Sequence, residues 1–268
     1  MSIFIKLTLK ENILMNTETI EKLRGMKLTG FLDALSEQRE STTYADMSFD
    51  QRLGFLVDAE FLRRKNVRIA TAMRSAKLKS NACIESLDYS KARNINRMLI
   101  TELATGRWIA QAQNILITGP TGVGKSFLAS ALAEKACRLE YKALHIKINE
   151  LIRQIMLAHA EGTYPKLISR LSKIHLLIID EWLRNPLGVE HAREILDLLD
   201  ERYGKLATVF CSQLPVKNWH QNMKDPTAAD AILDRIVHNS HRIELRGDSL
   251  RKNSHQEYLK VQPLSSSE

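Results

Sequence analysis

The feature that most restricts the fold of this chain is a glycine-rich turn set between two apolar runs. Residues 115–117 are Ile-Leu-Ile, residues 119–126 read Gly-Pro-Thr-Gly-Val-Gly-Lys-Ser, and apolar residues recur at helical spacing over residues 127–132. A buried strand, a tight turn and a helix in this order are the setting of a P-loop (Walker A motif). Its glycines let successive backbone N–H groups converge on phosphate oxygens at a helix N-terminus. The pattern therefore predicts a nucleotide-binding α/β domain.

The predicted nucleotide contacts come mainly from this loop and the start of its helix. Lys125 is expected to reach the β and γ phosphates, and Ser126 is expected to hold magnesium. The predicted set for ATP and its Mg²⁺ is Gly119, Pro120, Thr121, Gly122, Val123, Gly124, Lys125, Ser126, Phe127 and Asp180. An ordinary glycine-rich turn is the alternative, and the flanking strand and helix argue against it.

A second apolar run, residues 176–179, ends in Asp180 and Glu181. A parallel strand beside the first would bring both carboxylates to the phosphates. Asp180 is then predicted to hold magnesium together with Ser126, and Glu181 to polarise the attacking water as a general base. The alternative is a strand that ends in two acids for structural reasons alone. A carboxylate at position 181 favours hydrolysis over phosphoryl transfer to a small substrate, where water must be excluded.

Four polar residues farther along the chain are candidates for contact with the γ phosphate. Ser212 and Gln213 follow a predicted strand, at the edge where open α/β sheets bind ligands. Arg235 lies in a predicted helix before the last strand, and Arg251 lies just after that strand. Either arginine could offset charge that develops on the γ phosphate. A strand-ending turn for the first pair, and solvated charges for the arginines, stay open as alternatives.

The order of apolar segments predicts the architecture. From residue 112 short apolar runs alternate with longer amphipathic segments, as in a parallel sheet with helices on both faces. The predicted strands are residues 114–118, 143–148, 176–180, 208–212 and 241–245, and the predicted helices include residues 125–139, 150–161 and 190–203. Residues 17–107 contain no proline and carry apolar residues at helical spacing, which predicts a helical module.

The positive charge is concentrated in one part of the chain. Residues 60–107 hold eleven Lys or Arg and four Asp or Glu, so this stretch carries +7 of the net +8. Such a density of cations fits a nucleic acid backbone, and a solvated basic face is an equal alternative. The candidate DNA-binding residues are Arg63, Arg64, Lys65, Arg68, Arg74, Lys77 and Lys79.

Other features exclude functions rather than assign them. No apolar stretch approaches the roughly 18 to 20 residues that cross a bilayer, so we expect a cytoplasmic protein without a membrane partner. Cys83, Cys137 and Cys211 show no metal-ligand spacing and are predicted to be reduced, buried thiols. The eight histidines show no metal-binding spacing either, and the three tryptophans are predicted to be packing anchors.

Taken in order, these motifs resemble the IstB family, the AAA+ helper ATPases of bacterial insertion sequences. The resemblance runs from about residue 15 to residue 251 and is most specific at residues 225–245, Asp-Pro-Thr-Ala-Ala-Asp-Ala-Ile-Leu-Asp-Arg-Ile-Val-His-Asn-Ser-His-Arg-Ile-Glu-Leu. IstB proteins in turn resemble the helicase loader DnaC and the initiator DnaA. The chain departs from the expected pattern at Glu181, where many relatives carry Asp, and at Leu183 and Arg184, which replace a Gly-containing turn.

The resemblance implies a P-loop AAA+ fold: a parallel sheet flanked by helices, an all-helical N-terminal module and a truncated C-terminal lid. It implies a DNA-stimulated ATPase that assembles on duplex DNA as an ATP-dependent homo-oligomer and recruits or stimulates an IstA-like transposase. Under the resemblance Arg235 is an arginine finger acting in trans, Arg251 is a sensor-2 arginine acting in cis, and Gln213 or Ser212 is sensor 1. An arginine supplied across a subunit boundary requires head-to-tail contacts, which close into rings or wind into helices.

These inferences divide the chain into four parts. Residues 1–14 are expected to be an extension upstream of a natural start, residues 15–107 a helical DNA-binding module, residues 108–246 the AAA+ core, and residues 247–268 a truncated lid and tail. Three alternative functions remain. They are a DnaC-like replicative helicase loader, a P-loop small-molecule kinase that ignores DNA, and a non-enzymatic DNA-binding module with a static nucleotide site.

Overall fold

The computed structural model of the protein describes residues 17–78 and 82–250. The chain divides into two compact units, Met1–Ala70 and Thr71–Glu268. The division lies earlier in the chain than the boundary predicted after residue 107. Four parts of the sequence-based prediction lie outside the described residues: the extension at residues 1–14, Lys79, Arg251 and nearly all of the lid.

The first unit is helical. Residues 17–25 form α1, Thr29–Glu40 form α2, and Phe49–Ser75 form α3, whose last residues belong to the second unit. Helices α2 and α3 approach closely at Gly30, where an added Cβ would lie 3.0 Å from the Ala59 carbonyl oxygen and from the Arg63 Cβ. A glycine at position 30 therefore permits this helix crossing.

One buried carboxylate joins the two helices of this unit. Glu60, on α3, accepts hydrogen bonds from the backbone N–H groups of Gly30 at 2.7 Å and Phe31 at 3.2 Å. These N–H groups lie in the first turn of α2, where no intrahelical acceptor exists. Arg63 and Arg64 also donate to Glu60, and their hydrogen bonds are the main cause that lowers its pKa to about 2.

The second unit contains a five-stranded sheet in which every neighbouring pair is parallel. The strands are β1 (Asn114–Thr118), β2 (Ala143–Lys147), β3 (Leu176–Trp182), β4 (Ala207–Ser212) and β5 (Ser240–Glu244). Their spatial order is β2-β3-β4-β1-β5. The helices are α4 (Arg97–Leu103), α5 (Arg107–Ala110), α6 (Lys125–Arg138), α7 (Ile148–Ala160), α8 (Tyr164–Leu171), α9 (Val189–Arg202) and α10 (Pro226–Val237).

Consecutive residues of a strand point to opposite faces of the sheet. Both faces carry apolar side chains, and helices cover both faces. On one side Leu116 packs in a buried cluster with residues of α7, α9 and α10. On the other side Ile115 and Ile117 pack in a second cluster with residues of α4, α5 and α6. Buried residues of α4 and α5 explain why residues 97–110 group with the sheet rather than with the preceding helices. The predicted parallel sheet with flanking helices is confirmed.

Several details differ from the sequence-based prediction. Strand β3 continues two residues beyond residue 180, β5 begins one residue earlier than predicted, and α8 was not predicted. The described residues between Ser75 and Arg97 contain two short 3-10 turns, Ile84–Ser86 and Lys91–Arg93, instead of an α-helix. Cys137 and Cys211 are buried free thiols as predicted, whereas Cys83 is partly exposed.

Three further sequence-based predictions concern the tryptophans, membrane-spanning segments and metal-ligating groups. Trp108, Trp182 and Trp219 are all buried, which confirms them as packing anchors. Within residues 17–78 and 82–250, no helix has the length and apolar character of a membrane span. The same residues contain no group of three potential metal-ligating side chains of the His, Cys, Asp or Glu type.

Candidate nucleotide-binding site

The glycine-rich turn connects β1 to α6 and adopts a backbone that requires glycine. Gly119, Gly122 and Gly124 have φ values of +143°, +85° and +103°. A Cβ at Gly119 would lie 2.3 Å from the Leu245 carbonyl oxygen, and a Cβ at Gly122 would lie 2.1 Å from the Ser249 hydroxyl oxygen. Positive φ and close approach both exclude larger residues here. The turn therefore leaves its backbone N–H groups available to a phosphate at the N-terminus of α6.

Lys125 begins α6 and is folded against its own loop. Its ammonium group donates to the carbonyl oxygens of Gly119 and Pro120, each at 2.7 Å. The residue is largely buried. These carbonyl oxygens hold the ammonium group inside the loop. The phosphate oxygens of a bound nucleotide would compete with them as acceptors.

Asp180 is a buried, ionised carboxylate at the end of β3. Burial alone would raise its pKa, but hydrogen bonds from His145 and Ser126 outweigh that effect and lower the pKa to about 2. The Nε2 atom of His145 lies 3.1 Å from Asp180 Oδ2, and the backbone N–H of Glu181 donates to Asp180 Oδ1 at 2.9 Å. Ser126 and Asp180, the two predicted magnesium ligands, line the same cavity.

Glu181 is held by two cations. Lys147 Nζ donates to its Oε1 at 2.8 Å, and Arg184 donates to its Oε2 at 3.0 Å. The hydrogen bond from Lys147 is the largest cause that lowers the pKa of Glu181, and it outweighs the opposing effect of burial. Glu181 and Leu183 both adopt positive φ, near +58° and +53°, so the turn after β3 forms without a glycine.

The two sensor-1 candidates have different surroundings. Ser212 is fully buried; its hydroxyl donates to the Trp182 carbonyl at 2.7 Å and accepts from the Leu214 N–H at 3.1 Å. Gln213 is exposed at the end of β4 and lines the cavity beside the P-loop. The structure therefore places Gln213 at the site, while the Ser212 hydroxyl joins β4 to β3.

These elements enclose a cavity of about 490 Å³ at the carboxyl edge of the sheet. The cavity is lined by Thr121, Gly122, Gly124, Lys125, Ser126, Phe127, Asp180, Glu181, Arg184, Cys211, Gln213 and Leu250. A glycine cradle, one lysine and two adjacent oxygen ligands fit a nucleotide phosphate with Mg²⁺, which prefers oxygen ligands. Val123 is instead buried in the apolar cluster beneath the loop.

Arg235 lies at the other edge of the sheet. Its backbone carbonyl accepts a hydrogen bond of 3.3 Å from Asn114, the first residue of β1, whereas the P-loop follows the last residue of that strand. A strand of this length spans about 13 Å. The Arg235 side chain forms an ion pair with Asp200 and donates to the Ala231 carbonyl. Arg235 is therefore remote from the P-loop of its own chain.

The candidate DNA-binding cations are spread along α3 and beyond it. Arg63 and Arg64 are ion-paired with Glu60, at 3.2 Å and 2.6 Å. Arg68 and Arg74 are exposed, and Lys77 follows the helix with positive φ. The two arginines nearest Glu60 thus have a structural partner that the sequence did not reveal.

Three residues around the acidic pair were missed by reasoning from sequence. His145 and Lys147 lie on β2, and Arg184 follows the turn after β3. Neither strand order nor side-chain direction is visible in the sequence, although the position of Lys147 at the end of a predicted strand was a usable signal.

The P-loop follows β1, and the two acids lie near the end of β3, which is separated from β1 by β4. Together with the strand order β2-β3-β4-β1-β5, these features define an ATP-binding protein of the AAA+ class. The same fold is found in AMPPCP-bound DnaA from Aquifex aeolicus, with a TM-score of 0.54 and 15% identity, covering 72% of this chain and 58% of that one. The DnaC helicase loader gives a TM-score of 0.52 at 15% identity, covering 62% of this chain and 98% of the loader.

Sequence similarity then defines the family. The profile of the IstB-like ATP binding protein family matches residues 21–258, so this chain belongs to that family. A putative insertion sequence ATP-binding protein from Sinorhizobium fredii is 42% identical over 235 residues, which cover 88% of this chain and 96% of the relative. The family resemblance seen in the motifs is confirmed.

Proposed function

We propose that this protein is a magnesium-dependent ATPase that assembles on duplex DNA and recruits or stimulates a partner transposase during transposition. The observation that carries the enzymatic part is the convergence of Lys125, Ser126, Asp180 and Glu181 on one cavity. The insertion-sequence relatives support the biological part.

Each residue of this site has a distinct part in hydrolysis. Lys125 and the N-terminus of α6 attract the phosphates, while Ser126 and Asp180 would hold Mg²⁺. When bound, Mg²⁺ neutralises charge on the phosphate oxygens. Glu181 orients and polarises the attacking water. Each oxygen of Glu181 is paired with one cation, so the attacking water shares this carboxylate with Lys147 and Arg184 unless one of them moves away.

Arg235 completes the site of a neighbouring copy in this proposal. Its distance from its own P-loop excludes action in cis in the described conformation, whereas a head-to-tail assembly brings it to the next nucleotide. ATP binding then favours assembly, because the γ phosphate offers this arginine a charged partner across the interface. Arg251 remains a candidate for contact with the nucleotide in cis, and Gln213 for contact with the γ phosphate.

The DNA-binding part of the proposal rests on the charge of residues 60–107. An excess of cations along α3 suits the phosphate backbone of a duplex and gives binding without strong sequence preference. A DnaC-like loader is the second candidate, supported by fold likeness. Family membership favours the transposition function.

The test combines hydrolysis, assembly and partner binding with the full chain. We expect phosphate release to require Mg²⁺, to rise with duplex DNA, and to fall by at least about 100-fold in Glu181→Gln. Lys125→Ala should abolish ATP-dependent assembly on DNA in sedimentation experiments. Turnover that survives Glu181→Gln would contradict the assigned base. Capture of a replicative helicase, rather than an IstA-like transposase, would favour the loader.

A further inference from the structure

Three buried polar side chains form a hydrogen-bonded series that ends at Asp180, the predicted magnesium ligand. The Ser130 hydroxyl lies 3.1 Å from His145 Nδ1, and His145 Nε2 lies 3.1 Å from Asp180 Oδ2. All three residues are buried, with relative exposures of 0%, 9% and 5%. They come from α6, which follows the P-loop, and from the neighbouring strands β2 and β3.

Helix α6 carries a serine near each end of this hydrogen-bonded series. Ser126 and Ser130 are four residues apart and so lie on the same face of the helix. Ser126 and Asp180 line the same cavity, while Ser130 contacts His145. His145 thereby connects Ser130, on the helix that follows the P-loop, to Asp180 on β3.

The chemistry of these groups assigns a donor and an acceptor to each hydrogen bond of the series. An ionised carboxylate only accepts, so the proton on His145 must reside on Nε2 to form the bond to Asp180. In a neutral imidazole the Nδ1 atom is then an acceptor, which the Ser130 hydroxyl satisfies as donor. The contact of Ser130 with Nδ1 therefore fits the His145 tautomer that points an N–H group at Asp180.

We infer that His145 is a positioning residue that orients the Asp180 carboxylate toward Mg²⁺, with Ser130 fixing the His145 tautomer. The inference rests on the proposed function, because it takes Asp180 as a magnesium ligand. Carboxylates that ligate metals are commonly oriented by such hydrogen bonds, and their loss costs about 10- to 100-fold in metal affinity. The Glu181 N–H group holds only Oδ1 of Asp180, and His145 holds Oδ2, so both oxygens of the carboxylate are fixed when His145 is present.

Two amide substitutions separate this role from simple packing. In His145→Gln the side-chain amide nitrogen reaches close to the position of Nε2, so a donor to Asp180 is kept. In His145→Asn the amide reaches only the position of Nδ1, so contact with Ser130 is kept and contact with Asp180 is lost. Both variants bury one amide, and both keep the backbone hydrogen bond of 2.8 Å from His145 N–H to the Ala76 carbonyl.

The measurement is the Mg²⁺ dependence of nucleotide binding, followed with a non-hydrolysable ATP analogue that carries a fluorescent methylanthraniloyl group. We expect His145→Asn to raise the half-saturating Mg²⁺ concentration about tenfold, with less than about a twofold change in analogue affinity in EDTA. His145→Gln should stay within about threefold of the unaltered protein, and Ser130→Ala should fall between the two variants. Thermal unfolding without nucleotide shows whether each variant is folded.

The outcomes distinguish the inference from the function on which it rests. Equal Mg²⁺ dependence in the Asn, Gln and unaltered proteins would overturn the role of His145 and leave the magnesium site intact. An equal loss in Asn and Gln, with a parallel loss in EDTA, would make His145 a packing residue and also overturn the role. If the unaltered protein binds the analogue equally with and without Mg²⁺, the proposed magnesium site and the inference fail together.

Discussion

Lys147, at the end of β2, donates a hydrogen bond of 2.8 Å to Glu181, the residue proposed to polarise water. The pairing joins adjacent strands, because Lys147 lies in register with Asp180 on β3. It lowers the pKa of Glu181, so the carboxylate is ionised at neutral pH but is a weaker base than an unpaired glutamate. The proposed general base, Glu181, is thus ionised and already hydrogen-bonded to Lys147 and Arg184.

Removal of this cation should increase hydrolysis in the absence of DNA. In Lys147→Ala the Oε1 atom of Glu181 loses its partner, and the pKa of Glu181 moves back toward its ordinary value. We expect the basal rate of phosphate release to rise about two- to tenfold, because a more basic and less engaged carboxylate polarises water better. The acid limb of the pH–rate profile should move to higher pH. The exposed Lys173→Ala variant is the control, and a basal rate that falls in Lys147→Ala alone would contradict this account.

The stability of the helical unit should depend on pH through Glu60. Its pKa falls from the ordinary 4.5 to about 2 on folding, so its stabilising effect is complete above pH 4.5 and is lost as pH falls toward 2. Glu60→Gln should lower the thermal unfolding midpoint at pH 7, and the difference from the unaltered protein should shrink as pH falls from 5 to 3. Circular dichroism melts at several pH values measure this.

Glu40, an exposed residue at the end of α2, provides the matched control for Glu60. Glu40→Gln should leave both the midpoint and its pH dependence nearly unchanged. Amide hydrogen exchange at pH 7 should also increase in the first turn of α2 in Glu60→Gln, because a neutral amide oxygen is a weaker acceptor for the Gly30 and Phe31 N–H groups than a carboxylate. Equal melts for Glu60→Gln and the unaltered protein at pH 7 would exclude a stabilising role for Glu60.

The ion pairs with Glu60 divide the candidate DNA-binding residues into two groups. Arg68 and Arg74 are exposed, so replacing both with Gln should weaken duplex binding and reduce the slope of log affinity against log salt by about 2. Arg63→Gln with Arg64→Gln should also destabilise the protein, because both arginines hold Glu60. Fluorescence anisotropy between 50 and 200 mM salt gives the slopes. Unchanged affinity at low and high salt in the Arg68 and Arg74 variant would reject this assignment.

The parts of the site that the sequence predicted are those that lie in continuous segments. The P-loop and the acidic pair are short motifs whose local structure follows from glycine positions and an apolar run. The roles of His145 and Lys147 depend on β2 lying next to β3, and the sequence does not display strand order. The partnership of Glu60 with Gly30 likewise joins residues thirty positions apart. Sequence patterns indicated which residues carry charge, and the fold determined which charges are paired.

Arg235 provides the most direct test of assembly, because a residue that acts in trans can be separated from the site that it serves. Arg235→Ala and Glu181→Gln should each be nearly inactive alone: the first keeps an intact nucleotide site, and the second still binds ATP and keeps an intact arginine. Mixed in equal amounts on DNA, random head-to-tail assemblies would pair an intact site with an intact arginine at about a quarter of their interfaces. We therefore expect ATPase activity of about that fraction to return on mixing. A mixture as inactive as its components would show that Arg235 and Glu181 serve the same subunit or that Arg235 has no part in hydrolysis.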